Sequence, residues 1–262
     1  MLYCYPLTYI DPADAMTAFA AQDGAALLDS QQAGGDNARY AVIPAGACAR
    51  LRCYGNRTQI TDIQGRVTWH DDDPFHLLKC ELAEWRQKLK FEATTTQQIP
   101  PVFTGGALGL FGYDLARRLE DLGADDKPRR IPDMDVRIYQ GALVFDQIDR
   151  QATLYCHAAD KGDADALYHQ ITAQLATAGP PPAAPVALDW RADEDRPGYC
   201  AKIANVIEAI YAGDIFQANL SRQFSADLQP DFDAFADYYH RRRAMAAPFG
   251  AWFNGGHYQL AS

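Results

Sequence analysis

The chain has 262 residues, of which 48% are hydrophobic and 22% are charged, and its formal net charge is -10 at pH 7. A chain of this length can bury a sizeable core as one large domain or two ordinary ones. The acidic balance, with charges scattered along the chain, argues against a nucleic-acid partner and against a polybasic membrane patch. No apolar run approaches the roughly 18 residues of a membrane span, and no secretion-signal pattern opens the sequence, so we expect a cytoplasmic globular protein with no membrane partner.

The six cysteines lie far apart, without a C-x-x-C pair and without histidines at ligand spacing. This spacing favours buried, reduced thiols over a zinc site. The six histidines are equally dispersed, and none is assigned a catalytic role.

The first part of the chain alternates strand patterns with two helix patterns. Asp11 and Pro12 are suitable as N-cap and first residue of a helix over residues 11–22, which is expected to close near Gly24. Short β-like runs separated by turn residues then predict an antiparallel meander over residues 39–70. The period changes to that of a helix at the next apolar set, which is Phe75, Leu78, Leu82, Trp85 and Leu89.

A glycine-rich stretch, GGALGLFGYDLARRLE at residues 105–120, precedes a second β-rich block at 134–158. Glycine amides at a helix start can bind phosphate, but neither G-x-G-x-x-G nor G-x-x-x-x-G-K-[ST] is present. Close backbone packing is the favoured explanation of these glycines.

Strands, a helix and then more strands favour an α+β domain over a βαβ repeat. A helix pattern after the second β block ends at a run of three prolines, Pro180 to Pro182, which cannot extend a helix. We therefore predict a first domain over 1–178, a Pro-rich linker over 179–190 and the start of a second domain over 191–262. The sequence stops without a closing helix, so we expect the second domain to be incomplete.

The second part opens with the strongest helix pattern of the chain, from Asp195 to a C-terminal glycine, Gly213. The next segment, GDIFQANLSRQF, alternates apolar with uncharged polar side chains and predicts a strand from residue 215 to 224. The strand is either an edge strand with a wet face or the wall of a polar pocket. Three arginines, Arg241 to Arg243, are interpreted as a solvated helix face.

Several of these segments, in this order, resemble the chorismate-utilising enzymes. They are ALLDS, GGALGLFGYDLARRLE, PDMDVRIYQGALVFD, LDW, FQANLSRQF and APFGAWF. The resemblance implies an α+β fold of stacked antiparallel sheets with outer helices, of which this chain would be the N-terminal part, its C-terminal part truncated.

Within this family the chain is most similar to the branch called aminodeoxychorismate synthases, component I. That resemblance implies amination of chorismate to 4-amino-4-deoxychorismate, on the route to para-aminobenzoate and folate. It also implies Mg2+ as cofactor and a glutamine amidotransferase subunit that supplies ammonia. The catalytic glutamate, the nucleophilic lysine and the Mg2+ ligands are expected beyond residue 262, so the chain alone is expected to be inactive.

The resemblance gives Gln217 a role in positioning the substrate or the nucleophile. Relatives that add water to chorismate carry a lysine base at the matching position, and a glutamine cannot take a proton at neutral pH. The alternatives are component I of anthranilate synthase, which shares several of these segments, and a non-catalytic module that binds tryptophan or docks a partner.

An L-tryptophan pocket is also implied by the resemblance. A serine hydroxyl and backbone groups would hold the amino acid's polar end, while Tyr40 and Phe249 offer apolar surface for the indole. The matching positions are Ser30, Asn37, Ala38, Arg39, Tyr40, Pro248, Phe249 and Gly250.

Overall fold

A computed structural model of the protein describes residues 1–31, 38–90, 102–122 and 130–262. One compact unit combines residues 1–183 with 234–262, and a second consists of residues 184–233. The domain boundaries drawn around the proline run stay a prediction. None of the described helices is long and apolar enough to cross a membrane.

The first unit is built on an antiparallel sheet that contains ten strands of the described residues. The strands are β1 (Leu2–Leu7), β2 (Ala26–Asp29), β3 (Tyr40–Tyr54), β4 (Arg57–Asp62), β5 (Val67–His70), β6 (Gly106–Phe111), β7 (Met134–Asp146), β8 (Gln151–His157), β11 (Gly250–Asn254) and β12 (Gln259–Ala261). Their order is β1-β8-β7-β3-β2-β11-β12, while β4 pairs with β3 and β5, and β6 pairs with β7. The predicted α+β class is confirmed, and of the predicted stacked antiparallel sheets the described residues form one large sheet.

The two long strands β3 and β7 form the centre of the sheet. Their register runs from Tyr40 opposite Asp146 to Cys53 opposite Met134, with an irregularity near Ala47. The short β-like runs predicted in the meander include two over residues 39–46 and 49–55, and the structure corrects these two to the single strand β3. Gly46 explains the difference, because its φ of +67° permits a bulge at which the ladder continues.

The helices of the first unit cover the sheet and form its core. They are α1 (Pro12–Met16), α2 (Pro74–Lys88), α3 (Lys161–Leu175) and α5 (Ala234–Met245). One buried cluster contains residues of α1, α3 and α5 together with the strands beneath them, and a second contains residues of α2. Aspartates cap three of these helices, since the side chains of Asp11, Asp73 and Asp160 accept hydrogen bonds from first-turn N–H groups.

The helix predicted over 11–22 is wrong in length. After Met16 the chain tightens into turns, with Ala18 N bonded to Ala15 O and Phe19 N bonded to Met16 O. These i to i-3 bonds satisfy the last carbonyls of the helix and end it.

The glycine-rich stretch forms β6 and a following turn of 3-10 helix, Tyr113–Arg118. A Cβ on Gly109 would lie 2.0 Å from the carbonyl oxygen of Asp135 on the paired strand β7. The interpretation as close backbone packing is therefore confirmed.

The second unit contains α4 (Arg196–Ala212) and a two-stranded ribbon of β9 (Arg191–Ala192) and β10 (Phe224–Ser225). The helix has the predicted ends, since Asp195 caps its first turn and Gly213 is left-handed with φ +82°. The strand predicted over 215–224 is wrong, because only its last residue lies in β10. No described strand pairs with the rest, and Phe216 on its apolar face is 92% exposed.

All six cysteines are free thiols. Cys48, Cys53 and Cys156 are buried, whereas Cys80 and Cys200 are exposed, so the expectation of burial is wrong for these two. Burial raises the pKa of Cys48 and of Cys156 to about 12, which keeps both thiols protonated and unreactive near pH 7.

Candidate ligand site

The end of β2 places Ser30 beside the turn that leads into β11. Asp29 pairs with Gly250, and the backbone N–H of Gln31 donates to the carbonyl oxygen of Ala247 at 3.0 Å. A Cβ on Gly250 would lie 2.7 Å from the carbonyl oxygen of Asp29, so a glycine is needed for this close approach. Ser30 and the Pro-Phe pair before Gly250 therefore belong to one place in the fold.

A glutamine that the sequence analysis missed links Ser30 to the start of β3 through hydrogen bonds. Gln147 follows β7, and its Nε2 donates to the carbonyl oxygens of Ser30 at 2.9 Å and of Ala38 at 3.2 Å. A surface glutamine after a strand carries no local signal of this role. The structure thus brings Ala38 next to Ser30, while Asn37 lies outside the described residues.

Arg39 is engaged by acidic side chains of the same corner. Its Nε and Nη2 donate to Asp146 Oδ2 at 2.8 and 2.6 Å, and Nη2 also donates to Asp149 at 2.7 Å. Burial raises the pKa of Asp146, but hydrogen bonds from Arg39 and from two backbone N–H groups outweigh it and hold this pKa below its ordinary value. The Arg39 charge is therefore balanced within the protein by Asp146 and Asp149.

Aromatic and apolar surface is available at the same place. The Arg39 guanidinium lies 5.2 Å from the centre of the Tyr40 ring, which fixes that half-buried ring. Phe249 is 78% exposed and Pro248 is half-buried. A backbone corner with an exposed aromatic ring can hold a small ligand that has a polar end and an apolar end.

A buried ion pair between α5 and the end of β2 lies next to this corner. Arg242 on α5 donates through Nε and Nη2 to the two carboxylate oxygens of Asp29, at 2.5 and 3.0 Å. Tyr238 donates to the same carboxylate at 3.0 Å, and Gln31 donates to it at 2.6 Å. The interpretation of all three arginines as a solvated face is thus wrong for Arg242, because Tyr238 and Arg242, one turn apart on α5, both reach the buried Asp29.

Gln217 lies in the second unit and is exposed. It belongs to the segment between α4 and β10, whose side chains are exposed on both of the predicted faces except for the half-buried Arg222. Ser30 and Phe249 belong to the first unit, and the role predicted for Gln217 stays a prediction.

The described residues contain no group of three or more His, Cys, Asp or Glu side chains placed to hold a metal ion. The carboxylates nearest the corner, Asp29 and Asp146, are each occupied by an arginine. The use of Mg2+ stays a prediction.

Comparison with known proteins places this fold and its corner in a family. The family described as chorismate binding enzyme matches residues 25–262. This chain belongs to the chorismate-binding enzymes. The match includes the strand β2, the corner at Ser30 and the whole of the second unit.

Among curated members of this family, the chain is 36% identical over 185 residues to aminodeoxychorismate synthase component 1 of Salmonella typhimurium, covering 69% of this chain and 37% of the relative. It is 34% identical to the protein of that name from Klebsiella aerogenes, covering 89% of this chain and 49% of the relative. Anthranilate synthase component 1 of Pseudomonas putida is 27% identical to this chain. The match covers 99% of this chain and 54% of that relative. The chain therefore spans about half the length, or less, of these family members.

A solved structure shares the fold of this chorismate-binding enzyme. Anthranilate synthase component I from Streptococcus pneumoniae TIGR4 superposes with a TM-score of 0.62 at 21% identity. The match covers 85% of this chain and 49% of the solved one. It supports the α+β architecture with its large antiparallel sheet.

Proposed function

We propose that the full-length protein is component I of an aminodeoxychorismate synthase. The observation that carries the proposal is the difference between the two groups of relatives. Proteins named aminodeoxychorismate synthase component 1 are 31 to 36% identical to this chain, whereas those named anthranilate synthase are 24 to 27% identical.

In this proposal the enzyme takes chorismate and ammonia, with Mg2+, to 4-amino-4-deoxychorismate, a precursor of para-aminobenzoate and folate. A glutamine amidotransferase subunit supplies the ammonia, and the name component 1 in the relatives supports the existence of a partner component. Gln217 positions substrate or nucleophile, because a carboxamide can donate and accept hydrogen bonds but cannot deprotonate water.

The corner at Ser30 is proposed as an L-tryptophan site. Backbone groups near Ser30 and Ala38 would hold the ammonium and carboxylate, and Tyr40 and Phe249 would contact the indole. The support is physical. Asn37 lies outside the described residues, and the other members of the proposed set lie at one corner with an exposed aromatic ring.

The reaction is tested with the full-length protein, chorismate, ammonium chloride and Mg2+, with products separated by chromatography. We expect aminodeoxychorismate, which a lyase added afterwards converts to para-aminobenzoate and pyruvate. Formation of anthranilate and pyruvate without the lyase would show that the protein is instead an anthranilate synthase. Omission of Mg2+ should abolish turnover.

A further inference from the structure

A groove lies between α2 and the strand β6. Its volume is about 930 Å³, near the upper end of the roughly 300–1,000 Å³ of small-molecule sites. Side chains of α2 form one wall, and residues 105–107 form the opposite side together with Ile138 of β7. Strand β6 pairs with residues 134–139, the half of β7 that is distant from the corner at Ser30. Neither Ser30 nor Gln217 lines the groove, so the proposed function leaves it without a role.

The helix wall of this groove carries an apolar stripe that the protein only partly covers. Its four apolar side chains are Phe75, Leu78, Leu82 and Trp85. Leu78 is buried, but Leu82 and Trp85 are half-buried and Phe75 is 36% exposed. The glycines at 105–106 have no side chains to cover them. From Phe75 to Trp85 the helix rises about 15 Å, so the groove can hold an elongated apolar body.

Two cations of α2 line the same groove. Lys79 and Arg86 are seven residues apart, which is close to two helical turns, so both lie along one side of the helix. Neither has an ion-pair or hydrogen-bond partner among the residues that the structure describes. None of the described residues that line the groove is acidic. In a chain with a net charge of -10, these two charges are left to be balanced from solution.

The acidic residues of α2 do not balance these cations, because they lie on the other side of the helix. Glu81 follows Lys79 by two residues and Glu84 precedes Arg86 by two, so each points about 160° away from its neighbouring cation. Glu84 pairs instead with Lys88. The helix therefore presents an acidic, paired side away from the groove and a cationic, apolar side towards it.

The apolar and cationic parts of the groove select different parts of a ligand. Lys79 and Arg86 can bind an acidic group, but charge pairs at exposed positions are weak, so an inorganic anion alone would bind poorly. The apolar stripe contributes free energy when a hydrocarbon or ring body removes it from water. A neutral hydrocarbon, however, leaves both cations without a partner. A molecule with an acidic head and an elongated apolar body satisfies both parts.

We propose that this groove binds an anionic amphiphile, a small molecule with a carboxylate head and an elongated apolar body. The carboxylate accepts hydrogen bonds from Lys79 and Arg86. The apolar body lies against Leu82 and Trp85, over the backbone of residues 105–107. This site is separate from the proposed tryptophan site and does not depend on the reaction that the protein catalyses.

The test uses the full-length protein and octanoate as the probe, at concentrations below those at which it forms micelles, with the Kd measured by calorimetry. We expect one octanoate to bind per chain, with an affinity that falls as salt is added. Three compounds separate the contributions of head and body. Acetate lacks the apolar body, 1-octanol lacks the charge and octyltrimethylammonium carries the opposite charge, and each should bind at least tenfold more weakly than octanoate.

Variants of exposed residues assign the binding to this groove. Lys79→Gln and Arg86→Gln each remove one cation, and we expect an affinity for octanoate that is weaker by about three- to tenfold, as for loss of one hydrogen bond. Ala83→Trp places an indole in the groove from an exposed position of its wall and should weaken binding by tenfold or more. Arg66→Gln, at an arginine that is 77% exposed and outside the groove, should leave the Kd unchanged.

Three results would overturn the proposal: no binding of octanoate, equal binding of octanoate and 1-octanol, or an unchanged Kd in all three groove variants. A groove that another part of the full-length chain or a second copy covers would give the first of these results. All measurements are made without chorismate. Their failure would leave the proposed amination untouched, and absence of turnover would leave this site untouched.

Discussion

Arg242 Nε lies 2.5 Å from Asp29 Oδ2, and the two side chains are 2% and 0% exposed. The pair joins α5 to the last residue of β2, directly before Ser30. A hydrogen bond from Tyr238 to the same carboxylate adds a second contact from α5. The corner that holds Ser30 and Phe249 is therefore supported by a salt bridge between segments that are 213 residues apart.

Removing the cation of this pair should destabilise the protein strongly. Arg242→Met leaves Asp29 buried with an uncompensated charge, and we expect a loss of about 3–5 kcal/mol in the free energy of unfolding. Urea unfolding followed by tryptophan fluorescence measures it. The control is Arg243→Met, because Arg243 is 66% exposed and should change the free energy by no more than about 0.5 kcal/mol. Equal losses in the two variants would contradict the structure.

Close packing in the glycine-rich stretch gives a second stability prediction. Gly109→Ala places a methyl group where the Asp135 carbonyl oxygen lies 2.0 Å away, so β6 and β7 must separate, at a cost of about 1–3 kcal/mol. Gly179→Ala is the matched control, since a Cβ there meets nothing within 4 Å. Thermal unfolding of both variants checks the prediction, and an unchanged midpoint in Gly109→Ala would show that the strands are not packed this closely.

The parts of the fold that depend on local signals were predictable from the sequence. Both ends of α4 were, because an aspartate cap at Asp195 and a left-handed glycine at Gly213 act within one turn. The prediction of a strand after α4 was wrong because it depended on a partner distant in sequence. A strand requires a neighbouring strand for its N–H and C=O groups, and alternation of side chains does not supply one.

The residues of the candidate site also differ in whether the sequence could predict them. Ser30 and Phe249 were assigned to the candidate site through family resemblance, which carries information about distant parts of the chain. The burial of Arg242 depends on Asp29, far away in sequence, and three adjacent arginines give no sign of which one faces the sheet. Gln147 is likewise defined only by the two carbonyl oxygens that β2 and β3 bring to it.

A buried histidine should make the stability depend on pH. Burial lowers the pKa of His157 from 6.5 to about 4, and the positive N-terminal ammonium acts in the same direction. The unfolded chain therefore binds a proton in this range that the folded state excludes. The contribution of neutral His157 is fully present above about pH 6.5 and is lost as the pH falls through about 4.

His157→Gln, which cannot be protonated in this range, should flatten the fall in the free energy of unfolding between pH 6.5 and 4. Urea titrations at several pH values measure the slope. His169→Gln, a change at an exposed position of α3, should keep the slope of the unmodified protein. If both variants keep that slope, His157 is not the group responsible.

The proposed tryptophan site predicts a specific effect of the exposed ring at its edge. Phe249→Ala should weaken L-tryptophan binding by about tenfold or more, because burying a phenylalanine against a ligand contributes about 1.5–3 kcal/mol. Since Phe249 is 78% exposed in the free protein, the unfolding free energy should hardly change. Calorimetry with L-tryptophan measures the affinity, and Tyr113→Ala, at a ring that is 97% exposed, is the control. Unchanged affinity in Phe249→Ala would place tryptophan elsewhere.

The proposed role of Gln217 concerns the choice of nucleophile. Its carboxamide can orient ammonia but cannot generate hydroxide, whereas a lysine amine that loses its proton can act as a base towards water. Gln217→Lys in the full-length protein should therefore lower amination and introduce attack of water on chorismate. The new C–O bond to water forms as the original ring hydroxyl of chorismate leaves, so the product is an isomer of chorismate, detected by chromatography. Gln223→Lys introduces the same charge six residues further along the exposed segment and should not create this activity. If Gln217→Lys yields no isomer of chorismate while it still binds chorismate, Gln217 does not govern the choice of nucleophile.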